Sequence, residues 1–271
     1  MNERRRLMMG QGLLEDGLIL WLDGKNNIQG GGYDNNANYW YAYKTAPSLD
    51  GFRMEKYGTV NTLINGFQIP YNANYAVGGI ISNVNPLTAL TDDKMTIIEV
   101  ASNLNTTNTH ESNTLLYFST TYNNTAYNYR QLVMRIRSNN KLYYKGKDAT
   151  WVDTGYLFTP DNVNSLVMVY KSDGIKCNIN LEYDGNTINY TSQQYMLNKD
   201  TNTSVKMILG AYCVTPFVNE YNRPNSSLAR SRNNWKDWPG TYNALLIYNR
   251  CLSDAEISQV KSFLRNRYGL Q

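Results

Sequence analysis

Between Ser165 and Tyr190 the chain runs through three short strand-like segments separated by two tight-turn signals, and this stretch constrains the fold more than any other. Ser165–Tyr170 is followed by Ser172-Asp173-Gly174, Ile175–Tyr183 by Asp184-Gly185-Asn186, and Thr187–Tyr190 closes the run. In the middle segment Cys177, Ile179 and Leu181 alternate with Asn178, Asn180 and Glu182. A period of two puts one set on a dry face and the other on a wet face, which a helix of the same sequence would mix. Gly, Asp and Asn at the breaks tolerate the positive φ of tight turns. The stretch predicts antiparallel strands joined by hairpins.

The same signals recur along the chain. Gly17–Asp23 (GLILWLD) is a compact apolar run closed by Asp23-Gly24. Further strands are predicted at Phe67–Ile69, Val77–Ser82, Lys94–Ala101, Thr114–Ser119, Gln131–Arg137, Lys141–Lys145, Val205–Cys213 and Tyr242–Tyr248. Residues 24–60 read as loop-rich. Tyr outnumbers Phe 23 to 6 and Asn abounds, a balance suited to half-buried pleated surfaces and turns rather than to helices. Many short strands spaced by turns predict an all-β, two-sheet antiparallel sandwich.

One helix is predicted, at the C-terminal end. Ser253 and Glu256 form a capping box, and Ile257, Val260 and Leu264 fall on one stripe. Arg265 and Arg267 sit where the helix dipole is negative, and Gly269 can close the last turn. No Pro-, Gly- or Ser-rich linker divides the chain. The expected organisation is an N-terminal basic arm over residues 1–16, with Arg4, Arg5 and Arg6 as a docking segment, and one domain over residues 17–271.

Charge and cysteine content narrow the function. A net charge of +4 with 18% charged residues lacks the dense basic stripe of nucleic-acid binders. The looser group Arg223, Arg230, Arg232 and Lys236 reads as solvated surface. Cys177, Cys213 and Cys251 are an odd number without CxxC spacing, so reduced thiols are expected rather than a zinc knuckle or disulfide framework. Neither a signal-peptide core nor an 18-residue apolar span occurs, so no membrane insertion and no secretory route are expected.

Two distant segments carry a family resemblance. GLILWLDGKN (Gly17–Asn26) resembles the first strand of concanavalin A-like, laminin G-like jelly-roll domains, and GTYNALLIYNRCLSDAEISQVKSFL (Gly240–Leu264) resembles their last strand and short helix. NSLVMVYKSDGIKCNINLEYDGN (Asn164–Asn186) is similar to the hairpin before the last strands. The resemblance implies a jelly-roll sandwich with a short C-terminal helix in which first and last strands pair, so that Leu20, Trp21, Leu246 and Ile247 share one apolar interior. Function is not fixed by fold, since sites are grafted onto it. Family members with calcium sites carry acids in the opening of the last strand. Gly240-Thr241-Tyr242-Asn243-Ala244 has none, and Asp153, Asp161 and Asp237 are isolated, so no metal is expected. Glucanases of this fold use an ExDxxE strand. The nearest match, Glu182-Tyr183-Asp184, has Thr187 in the third place, and the single His110 offers no triad, so a glycoside hydrolase is disfavoured.

What remains is recognition. Tyr and Trp offer rigid area with a polar handle. Tyr39, Trp40, Tyr41 and Tyr43 form one candidate carbohydrate-binding cluster, and Asn233, Asn234, Trp235 and Trp238 the other. The competing reading for Trp40 and Trp238 is that they cap the core, and for both clusters that they touch protein. The expected role is a non-enzymatic structural or decoration protein of a virion, such as a bacteriophage particle assembled in the host cytoplasm. Its partners would be other virion proteins, further copies of itself and host surface glycans. The alternative is a carbohydrate-binding module of a bacterial surface or polysaccharide-degrading system.

Overall fold

The computed structural model describes residues 13–70, 78–105, 113–120, 131–136, 141–145, 152–157, 162–192, 197, 199–201, 205–213, 235–237 and 239–270. These residues build two antiparallel sheets with a C-terminal helix outside one of them, the all-β sandwich expected from the sequence. Strands are numbered in chain order. The first sheet runs β15 (Asn186–Ser192), β14 (Cys177–Tyr183), β13 (Asn162–Asp173), β8 (Lys94–Asn105), β19 (Gly240–Tyr248), β1 (Leu18–Asp23) and β3 (Lys44–Thr45). At its end β6 (Gly66–Ile69) pairs with the start of β19, and β5 (Asn61–Leu63) pairs with β6. The second sheet runs β12 (Val152–Leu157), β11 (Lys141–Lys145), β10 (Gln131–Ile136), β9 (Asn113–Thr120), β16 (Val205–Leu209), β7 (Gly78–Ser82), β4 (Arg53–Gly58) and β2 (Tyr39–Tyr41). β17 (Ala211–Cys213) and β18 (Trp235–Asp237) form a separate two-stranded ladder.

Two apolar layers explain the strand patterns. Between the sheets, Leu20, Ile97, Met168, Leu245 and Ile247 meet Met54, Ile80, Leu116, Phe118 and Met207. On the outer face of the first sheet, Trp21, Ile98, Val100, Val167, Val169, Leu246 and Tyr248 pack against helix α1 (Asp254–Tyr268) through Ile257, Val260, Leu264 and Tyr268. The central strands β1, β8, β13 and β19 are therefore buried on both faces and read as near-continuous apolar runs. β14 lies beyond the helix, and its wet face of Asn178, Asn180 and Glu182 gives the alternation seen in sequence. First and last strands do pair, Leu20 opposite Ile247 and Trp21 opposite Leu246. These four side chains divide between the layers, because the pleat sends neighbouring residues to opposite faces: Leu20 and Ile247 lie between the sheets, Trp21 and Leu246 under the helix.

The helix ends as its sequence specifies. The Ser253 side chain accepts from the Glu256 amide, the Glu256 carboxylate accepts from the Ser253 amide at 2.7 Å, and Gly269 takes a left-handed φ of 67°.

Several boundaries differ from expectation. The segment 24–60 holds β2, β3 and β4 in addition to loops. In β4 (RMEKYG) Met54 is the one described side chain that enters the main core, and it is flanked by the polar Arg53 and Glu55, so no apolar periodicity announces the strand. Val205–Cys213 is two strands: Gly210 has φ +72°, and a Cβ there would lie 2.4 Å from Ile69 Cδ1. Ile175 is exposed, and β14 starts at Cys177. Residues 13–16 belong to the sandwich, since Leu13 is buried with the helix layer, the Leu14 carbonyl accepts from the Tyr248 hydroxyl, and Asp16 pairs with Arg250. Arg4, Arg5 and Arg6 lie outside the described residues.

Candidate functional site

β2 is the outer edge of the second sheet, and its alternation separates the first aromatic cluster. Trp40 points inward, is fully buried and stacks on Phe67 with ring centroids 5.1 Å apart. It is a core residue and cannot serve as a sugar platform, which corrects its place in the candidate site. Tyr43 lies on the other sheet's outer face, edge-on to Trp21 at 5.0 Å in the layer under the helix, so it too leaves the cluster. Tyr39 and Tyr41 remain together, facing outward from β2 with centroids 5.9 Å apart and planes at 66°.

β4 supplies what the aromatic pair lacks. Its register sets Glu55 opposite Tyr39 and Arg53 opposite Tyr41. The Arg53 guanidinium carbon sits 4.8 Å from the Tyr39 ring centroid, a cation–π contact that holds the ring, while Arg53 Nη2 pairs with Glu55 Oε1 at 3.2 Å. Arg53 Nε is buried and has no partner among the described residues. Asn83, just past β7, fixes the Arg53 backbone: its side chain accepts from the Arg53 amide at 3.0 Å, and its amide donates to the Arg53 carbonyl at 3.0 Å. From β16, Lys206 donates to the Asn83 carbonyl. Partial burial pushes the Lys206 amine below the usual lysine range, and the nearby Glu55 carboxylate opposes that shift.

The result is an outward face of two tyrosine rings, two cations and one carboxylate, held by strands that are far apart in sequence. Its surplus of positive charge and its ring faces suit a flat, hydroxyl-bearing, acidic ligand. Arg53, Glu55 and Lys206 were not singled out from the sequence; the polar positions 53 and 55 flanking Met54 are the only signal there.

The second cluster is placed in part. Trp235 lies in β18 with its backbone opposite Cys213, whereas Asn233, Asn234 and Trp238 lie outside the described residues, as do His110 and Asp161. Among the described residues, no group of three or more His, Cys, Asp or Glu could hold a metal ion. Glu182, the nearest approach to a glucanase acid, pairs with Lys261 at 2.7 Å and with Arg265, both on α1. Asp184 accepts from the Asn164 and Ser165 amides at 2.9 Å and serves the turn.

No family model and no curated protein matches the sequence. Solved structures do match in fold. Trypanosoma rangeli sialidase superposes with a TM-score of 0.55 at 14% identity, over 93% of this chain and 33% of the sialidase. The binding domain of botulinum neurotoxin DC, solved with rat synaptotagmin II, gives 0.54 at 13% identity, over 94% and 52% of the two chains. Botulinum neurotoxin type C, described as depending on two ganglioside molecules to get into cells, gives 0.53 at 14% identity over 94% and 51%. The chain thus spans about one third of the sialidase and half of the toxin chains. At such identities the likeness is one of fold.

Proposed function

We propose that this chain is a non-catalytic recognition domain that binds an acidic glycan on the Tyr39–Tyr41–Arg53 face. The carrying observation is the outward Tyr39–Tyr41 pair with the Arg53 guanidinium fixed over one ring. Stacking on the rings would hold the sugar, and the Arg53–Lys206 cations would read its carboxylate. The fold is compatible with such a role. A sialidase of similar fold was solved with sialic acid, and a toxin of similar fold is described with gangliosides. The setting we propose is the surface of a virus particle, as a decoration or structural subunit, with Arg4–Arg6 docking onto neighbouring subunits.

A glycan array comparing sialylated with neutral glycans tests the recognition claim. The expected result is binding of acidic glycans that weakens about tenfold in Tyr39→Ala, the equivalent of a lost stacking contact. An array with no acidic-glycan signal, or affinity unchanged in Tyr39→Ala, overturns it. Mass spectrometry of purified particles tests the setting: presence of the chain supports it, and absence favours a bacterial carbohydrate-binding module instead.

A further inference from the structure

Helix α1 covers only part of the first sheet's outer face. Its apolar stripe rests on Val167, Val169 and their neighbours, and beyond them the outward residues of β14 and β15 turn polar. Between helix and strands lies a groove of about 420 Å³. Its floor is Val169 and Ile257, and its polar wall is Asn178, Asn180 and Asn189, with Lys171 and Lys261 at its sides. That volume falls within the range of small-molecule sites.

The wall is fixed in orientation. Asn180 Nδ2 donates to Asn189 Oδ1 at 2.8 Å, and Asn180 Oδ1 accepts from Lys261 Nζ at 2.5 Å. Asn178 Nδ2 donates to Thr191 Oγ1 at 3.1 Å and to the Tyr190 carbonyl at 3.2 Å. One end of Asn178 (Oδ1, an acceptor) and one end of Asn189 (Nδ2, a donor) therefore remain without partners among the described residues. Each lysine at the groove already has a carboxylate partner, Lys171 with Asp254 at 2.5 Å and Lys261 with Glu182 at 2.7 Å, the latter shared with Arg265. A groove with an apolar floor, a free acceptor, a free donor and paired charges selects a ligand that offers hydroxyls and carries no charge of its own.

We propose that this groove binds one neutral sugar unit, with its hydroxyls bonded between Asn178 and Asn189. It is separate from the Tyr39 face, on the opposite sheet, and differs from it in ligand charge.

The test is a titration of the 15N-labelled full chain with the methyl glycosides of glucose, galactose and N-acetylneuraminic acid, followed by amide NMR. A neutral glycoside is expected to give saturable shifts at Asn178, Asn180 and Asn189 that persist in Tyr39→Ala. The double variant Asn178→Ala/Asn189→Ala should weaken that binding at least about tenfold, two hydrogen bonds being lost. Ser258→Trp, at an exposed helix position on the groove, should block it sterically with the asparagines intact. Silence of these amides at tens-of-millimolar neutral glycoside overturns the proposal. So do shifts caused by the N-acetylneuraminic acid glycoside alone, or affinity unchanged in both variants.

Discussion

Among the described residues two carboxyl groups, Asp23 and Glu99, are fully buried in this sandwich, and their surroundings are opposite. Asp23 ends β1 beneath the last turn of α1. Its Oδ1 accepts from the Tyr268 hydroxyl at 2.6 Å, from Arg267 Nε at 3.1 Å and from the Lys25 amide at 3.1 Å. Its Oδ2 accepts from Asn26 Nδ2 at 2.6 Å and from Arg267 Nη2. Glu99 lies in the middle of β8, between Met168 on β13 and Leu245 on β19, and neither oxygen has a partner among the described residues. Burial without compensation pushes its carboxyl up to about 8. Equal burial thus produces a structural anchor in one place and an acid kept neutral in the other. What separates them is the supply of donors, which Asp23 draws from a helix end and Glu99 cannot find amid Met and Leu.

Removing the anchor should have the larger effect. Asp23→Ala leaves the Arg267 guanidinium and the Tyr268 hydroxyl facing a site with no acceptor, and breaking a buried pair by deleting one partner costs about 3–5 kcal/mol. Denaturant unfolding would report the loss, and hydrogen exchange should localise it to the last two turns of α1. A loss under about 1 kcal/mol would place the network in solvent.

Glu99 should reveal itself through pH. Its folded pKa lies above the unfolded value of 4.5, so the folded state holds the proton more tightly. Its contribution to stability is fully present below pH 4.5 and is lost as pH rises toward about 8. Between pH 4.5 and 7 the decline should be of order 3 kcal/mol. Glu99→Gln cannot ionise and should flatten the slope, making the variant the more stable protein at pH 8. Unfolding midpoints at pH 5, 6.5 and 8 for both proteins decide it: parallel slopes would mean that Glu99 gains a partner on ionising.

The contrast was only half legible in the sequence. β1, β8, β13 and β19 showed as apolar runs because they are buried on both faces, and β14 as an alternation because it is wet on one. β4 and β12 carry no such pattern; β12 is an edge strand with exposed Tyr156 and Leu157, and Gly155 at φ +77° interrupts it. The aromatic cluster at 39–43 was visible, yet its residues face different layers, which only the pairing of β2 with β4 settles. Arg265 and Arg267 lie in the last turn of the helix, where the dipole is negative, and in addition bind Glu182 and Asp23, 83 and 244 residues away. Local pattern carries pleat and helix phase. Ion partners and the outward face of the second sheet come from long-range register, for which a single sequence has no local signal.

The smallest effect sharpens the comparison most. Tyr268→Phe deletes one hydroxyl from the Asp23 cluster, while Oδ1 keeps the Arg267 and Lys25 donors and the ring keeps its place near the Lys25 and Arg267 cations. Because no buried group is left unpaired, the loss should be only about 1 kcal/mol, that of one net hydrogen bond. The same substitution made on Asp23→Ala should cost nothing or stabilise, since it then removes an orphaned hydroxyl. Combined with Glu99→Gln at pH 8 it should add within about 0.5 kcal/mol, because the two acids share no partner. A double-mutant cycle by chemical denaturation measures both. Coupling to Glu99 larger than this would mean that the acids are linked through the body of the first sheet, and the distinction between a satisfied and an isolated carboxyl would fail.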